Sequence, residues 1–114
     1  MIQIKRVYEK PAKADGFRVL VDRLWPRGLT KEMAHVDFWM KEIGPSDELR
    51  EWFHHEEGSW SEFEKRYKGE LAKKKELLGE LRKLHREHGT MTLLYGSKHE
   101  KQNQAVVLAG MLKK

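Results

Sequence analysis

Apolar residues fall into short runs between polar turns, and their spacing changes along the chain. Residues 2–8 alternate in part through Ile4, Val7 and Tyr8, which predicts a first strand. Lys10 to Gly16 reads as a loop closed by an Asp-Gly turn. Residues 17–24 are nearly continuous in apolar character, the pattern of a strand covered on both faces. Trp25-Pro26-Arg27-Gly28 stops that strand, because proline lacks a ladder donor and glycine permits the turn. Thr30 can cap a short helix over 31–34. The next segment fits two periods: Val36, Phe38 and Met40 alternate, while Met33, Val36, Met40 and Ile43 form a helical stripe.

Gly44-Pro45 breaks the pattern, and Ser46 can cap a helix carrying Asp47 and Glu48 in its first turn, where the helix dipole favours negative charge. Leu49, Trp52 and Phe53 form its apolar face, and it should end near His54-His55. Ser59 and Glu62 have capping-box spacing ahead of the stripe Trp60, Phe63, Tyr67 and Leu71. A second stripe runs through Leu77/Leu78, Leu81 and Leu84 to a terminator at Gly89. One helix over 60–88 would be about 43 Å long. That rod would overhang a domain with a radius of gyration near ~13 Å, so two helices with a break over 72–75 are expected. Residues 90–95 form the third strand, 96–102 a polar loop, and 103–112 a last helix. The order predicts an α/β fold: a small parallel three-stranded sheet, with room for one extra edge strand, covered by helices in a single domain over 1–114.

Composition narrows the chemistry. With 114 residues and no cysteine, the sequence holds no disulfide, thiolate nucleophile, cysteine-zinc site or iron–sulfur cluster. The charged fraction is 36%, dominated by Lys and Glu, with a single asparagine, Asn103; that bias resembles a heat-adapted surface. The net charge of +5 favours anionic partners, but residues 31–60 are acidic, which argues against a uniform nucleic-acid-binding face. No apolar run is long enough for a membrane span and no secretory signal opens the chain, so a cytoplasmic location is expected.

In a parallel sheet, ligands bind beyond the carboxyl ends of the strands. Two polar loops qualify, 22–28 and 95–101, and the second leads into a helix N-terminus that attracts anions. They predict a pocket for phosphate, a nucleotide or a phosphorylated metabolite, formed by Arg23, Trp25, Arg27, Tyr95, Lys98 and Asn103. The bland alternative pairs Arg23 with Asp22 or Asp37 as an internal strut. Tyr95 and His55 are the candidates for acid/base work in a hydrolytic or transfer enzyme, although catalysis by Tyr95 would require a lowered pKa. His85 and His88 share a helix face but sit in its last turn, where positive charge suits the dipole, and no His-Glu-x-x-His exists; no metal site is expected. Glycine-rich phosphate loops and a serine nucleophile elbow are absent, and no cofactor is implied. An accessory nucleic-acid binder using the same basic rim, and a non-catalytic interaction module, are the alternative functions.

The blocks Val21-Asp22-Arg23-Leu24-Trp25-Pro26-Arg27-Gly28-Leu29, Glu48-Leu49-Arg50 with Trp52-Phe53, and Thr92-Leu93-Leu94-Tyr95 resemble the YeaO-like proteins, a bacterial and archaeal family classed as domain of unknown function 488. The likeness spans nearly the whole chain and brings no settled activity. By resemblance, the family's histidine after Trp-Phe falls on His55, and its long-helix motif on Trp60, Phe63, Arg66 and Tyr67. Where the family carries His-Asn-His before its last helix, this chain has Gln102-Asn103-Gln104, and glutamine cannot shuttle protons near neutral pH. Longer relatives carry cysteine about where Tyr95 stands, so the resemblance implies a branch without thiol chemistry.

Overall fold

A computed structural model of the chain describes residues 1–55 and 59–113, with the backbone but not the side chain of His55. Four parallel strands form one sheet: β1 (Ile2–Arg6), β2 (Phe17–Leu20), β3 (Phe38–Trp39) and β4 (Met91–Tyr95), in the order β1-β4-β2-β3. Five α-helices accompany them: α1 (Lys31–Ala34), α2 (Asp47–His55), α3 (Trp60–Leu71), α4 (Lys75–His88) and α5 (Gln104–Leu112). The doubly periodic segment supplies β3, an edge strand of two residues paired through Val19 to Phe38 and Leu20 to Trp39. The helical stripe fails there because Phe38 and Trp39 gain ladder bonds on the open side of β2.

The first two strands end earlier than their apolar runs. Val7 still donates to the Tyr95 carbonyl at 2.8 Å, and Val21 to that of Leu94 at 3.1 Å. Beyond them the chain has outrun the last residue of β4, and no neighbour remains to continue the ladder. The break between α3 and α4 falls at residues 72–74, where Lys73 and Lys74 bond back three residues to Glu70 and Leu71. The break keeps the pair within the fold, whose described residues span 37 Å in their longest dimension, shorter than an unbroken helix of about 43 Å.

The sheet faces differ. Val19, Val21, Met91, Leu93 and Tyr95 join Leu49, Phe63, Tyr67, Leu71, Leu81 and Leu108 in the main core beneath α2–α5. The opposite face holds a smaller cluster of Val7, Leu20, Ala34 and Leu94, against which Trp25, Leu29, Val36 and Trp39 pack. That second face is not apolar throughout, as the sequence pattern implied. Arg18 is buried there, ion-paired with Asp15, and donates from Nε to the His35 carbonyl and from Nη2 to that of Ala34, both at 2.9 Å. Lys5 Nζ completes the cluster at 3.2 Å from Asp15. Burial raises the Asp15 carboxyl, but bonds from the Ala12 N–H, Lys5 and Arg18 outweigh it and leave the pKa lowered. Gly16 closes this corner with φ +66°; a Cβ there would lie 2.3 Å from the Thr90 carbonyl oxygen.

Candidate functional site

Because all four strands are parallel, the loops after β2 and β4 leave from one edge of the sheet. Beyond that edge lies a cavity of about 370 Å³, walled by the start of the β2 loop, the 96–104 segment, Pro45 and the inner side of α2. Leu24, Phe53 and Phe63 give it an apolar side; Asp22, Arg23, Arg50, Lys98 and Gln104 give it a polar one.

Asp22 joins two walls. Its Oδ2 accepts from the Gly96 N–H at 2.8 Å, and its Oδ1 accepts from the Gln104 side-chain amide. Burial pushes this carboxyl up to about 6, against the pull of the Gly96 bond and the positive charge of Arg50. Arg23 joins a third wall, donating from Nε to the Pro45 carbonyl at 3.0 Å and from Nη2 to the Gly44 carbonyl at 3.1 Å. Glycine is required at 44, since a Cβ would stand 2.9 Å from the Arg23 nitrogen and 3.1 Å from the Val21 oxygen. The Gly44 carbonyl also accepts from Lys74 Nζ at 3.2 Å, which ties the start of α4 to the same turn.

Arg50 projects from α2, whose N-terminus is capped by the Ser46 hydroxyl accepting from the Leu49 N–H at 3.1 Å. Its Nη2 reaches the exposed Asp47 carboxylate at 3.0 Å, while its Nε is buried without a hydrogen-bond partner among the described residues. Asn103, itself buried, caps α5: its Oδ1 accepts from the Val106 N–H at 3.1 Å, and its Nδ2 donates to the His99 carbonyl at 2.7 Å. Both ends of this amide are thereby committed to the backbone.

Of the six residues expected to converge, Arg23, Lys98 and Asn103 line the cavity, and Trp25, Arg27 and Tyr95 do not. The β2 loop crosses the sheet edge after Leu24 and returns beneath the smaller core. Trp25 there meets Trp39 edge-on at 5.4 Å and donates to the Leu29 carbonyl at 2.7 Å. Arg27 is exposed on the far side, where its carbonyl accepts from the Tyr8 hydroxyl at 2.8 Å. Tyr95 turns into the main core. Its pKa is raised, first by burial and then by Glu100 and Glu9, which is the direction opposite to what a general base needs. The side chain of His55 lies outside the described residues.

The strut alternative for Arg23 is corrected in its partners. Asp22 is engaged by Gly96 and Gln104, and Asp37 accepts from the Arg18 N–H at 2.8 Å, so Arg23 is held by carbonyls. Sequence reasoning passed over Asp22, Arg50, Phe53 and Gln104 as cavity residues. For Arg50 a signal existed, because Leu49, Arg50 and Phe53 share one side of α2 by helical spacing, which places a guanidinium beside the buried stripe. His85 and His88 are engaged away from the cavity, the first 3.0 Å from the Met1 nitrogen and the second stacked on Phe17 at 4.0 Å. No helix among the described residues is long and apolar enough to cross a membrane.

The structure defines a small parallel α/β protein with a mixed polar and apolar cavity at its strand ends, and the sequence identifies its family. The chain belongs to the family described as the inactive DUF488-N3 subclade, which it matches over residues 1–114. It is similar to the uncharacterized protein YeaO of Escherichia coli (strain K12), with 45% identity over 112 residues that cover 98% of this chain and 96% of that protein. The uncharacterized proteins Mb3100c of Mycobacterium bovis and Rv3073c of Mycobacterium tuberculosis are each 42% identical over 111 residues, covering 97% of this chain and 92% of theirs. No solved structure matches the chain.

Proposed function

We propose that this protein binds a small anionic ligand, phosphate or a phosphorylated metabolite, in the cavity beyond β2 and β4 and does not transform it. One observation carries the reading: among the described residues the Arg50 guanidinium on the cavity wall is ion-paired only with the exposed Asp47, and its charge also acts on Asp22 inside the cavity. The terminal guanidinium nitrogens can donate to an oxyanion in the cavity, and a hydrogen bond to a charged group contributes about 1.5–3 kcal/mol. Arginine suits this role because its planar fork takes two oxygens of one phosphate. Arg23 and Lys98 add positive charge to the same cavity.

Binding without turnover is supported by the family's description as inactive and by the neutral side chains of Gln102, Asn103 and Gln104 at the third loop. Gln104 holds Asp22 through a neutral amide that does not ionise. A concave cavity with a few cations also suits a compact ligand better than a nucleic-acid strand. Binding to an extended polyanion weakens steeply with salt, whereas one or two phosphate contacts lose little.

Thermal denaturation with and without inorganic phosphate tests the reading. Phosphate should raise the melting temperature of the natural protein, as any ligand of the folded state does. In Arg50→Ala the protein should keep its own stability within about 1 kcal/mol, since the ion pair it makes among the described residues is exposed. The phosphate response should vanish. A response unchanged in Arg50→Ala, or absent from the natural protein, overturns the proposal.

A further inference from the structure

Charge balance and the placement of one carboxylate narrow the ligand class. Among the described residues, the cations Arg23, Arg50 and Lys98 and the carboxylate Asp22 line the cavity, with Arg50 also paired to the exposed Asp47. That surplus matches a phosphate monoester, which carries about −1.5 to −2 near neutral pH. Asp22 is fixed from both sides, each of its oxygens accepting one bond from Gly96 or Gln104. A carboxylate oxygen has room for a second donor, so each retains acceptor capacity on a group that lines the cavity. What it can read is a neutral hydroxyl donor. A zwitterionic amino acid fits less well, because its ammonium adds positive charge where cations already predominate. Phe53 and Leu24 complete the enclosure with apolar surface suited to the C–H face of a polyol.

Resting on the reading above, we infer that the ligand is a phosphorylated polyol, such as a sugar phosphate, and that Asp22 determines its specificity by accepting hydrogen bonds from the ligand's hydroxyl groups. Arg50, assisted by Arg23 and Lys98, takes the phosphate. Among the described residues, the charged and titratable groups around Asp22 are Arg23 beside it, Arg50 and His54 from α2, Tyr67 from α3, and Lys98 and His99 from the loop after β4. Acidification acts on the phosphate and on these neighbours alike for any phosphate ester. The ratio between two esters therefore isolates the group that reads the hydroxyls.

The test is calorimetric titration of the full chain with propyl phosphate and with ribose 5-phosphate. At about pH 7.5 ribose 5-phosphate should bind at least about tenfold more tightly, the scale of one hydrogen bond to a charged acceptor. At about pH 5, with Asp22 protonated, the preference should shrink to about twofold. Asp22→Asn should show the same small preference at about pH 7.5, and the pH series on the natural protein stands without that variant. Equal affinity for the two esters at both pH values overturns the polyol assignment while leaving phosphate binding intact. Binding of neither ester at millimolar concentration overturns the phosphate reading and this inference with it. Tighter binding of serine than of propyl phosphate assigns the cavity to zwitterions and overturns the inference.

Discussion

Arg23 donates from Nε to the Pro45 carbonyl at 3.0 Å, and this bond joins the loop leaving β2 to the turn entering α2. The second bond, to Gly44, reinforces it, so a side chain on the cavity wall is also a brace of that wall. Arg23 thus belongs both to the brace and to the proposed ligand site, in contrast to Arg27 only four positions later, which is exposed and outside the cavity.

The two arginines should therefore separate cleanly. Arg23→Ala should lose about 2–3 kcal/mol in urea denaturation, because two charge-assisted bonds vanish and two carbonyls lose a donor. Arg27→Ala should stay within about 0.5 kcal/mol of the natural protein and leave the phosphate response unchanged. Equal losses in the two variants would contradict the bracing role.

Asp15 holds the buried end of Arg18. Its carboxyl lies below the usual range, so its contribution to stability is present above the unfolded pKa and is lost as pH falls through the folded one. Asp15→Ala should cost about 3–5 kcal/mol near neutral pH, since it leaves a buried guanidinium without its carboxylate. Chemical denaturation measures this directly; a loss under about 1 kcal/mol would show that the carbonyls of Ala34 and His35 suffice for Arg18.

Asp22 behaves in the opposite sense. Its folded pKa, about 6, lies above the ordinary 3.8, so between these values the folded chain keeps a proton that the unfolded chain has released. The associated stability is fully present below the unfolded value and is lost as pH rises through about 6, by about 3 kcal/mol at most. Carbon-detected NMR of the side-chain carboxyl should give a midpoint near the folded value. A midpoint in the ordinary aspartate range would show that burial does not outweigh the Gly96 bond and the charge of Arg50.

Phe63 lies in the main core, 4.5 Å from Phe53 and 5.8 Å from Tyr67 by ring centroids, and also lines the cavity. Phe63→Ala should destabilise the protein by about 3–5 kcal/mol, the usual loss for a buried aromatic. Phe63→Leu should retain most of the stability, because it keeps an apolar side chain at the site. Equilibrium unfolding of both variants checks the pair.

Local chemistry made most of the secondary structure legible. Ser46, Ser59, Thr30 and Asn103 all accept a backbone N–H at a helix start, because a short polar side chain before an apolar stripe has an unpaired donor within reach. The parallel sheet followed from apolar runs separated by helical stripes, and the break over 72–75 from the lapse of one stripe before the next. The membership of Phe38 and Trp39 in the sheet was not local information, since their ladder partner is β2 across an intervening loop and helix.

The same division governs the cavity. The sequence by itself determined that polar loops would gather at the carboxyl ends of parallel strands, because strand direction and element order are encoded locally. It did not determine which loop residues face inward: within eight residues the β2 loop sends Asp22 and Arg23 to the cavity and Trp25 to the opposite face, where Trp39 receives it. Only tertiary packing decided this, because loop side chains follow no period and their orientation is set by distant partners. Asp22 faces the cavity because Gly96 and Gln104 hold it there, and Arg50 joins it because α2 buries Leu49 against the sheet. Those partners are far from Asp22 in sequence and adjacent only in the fold.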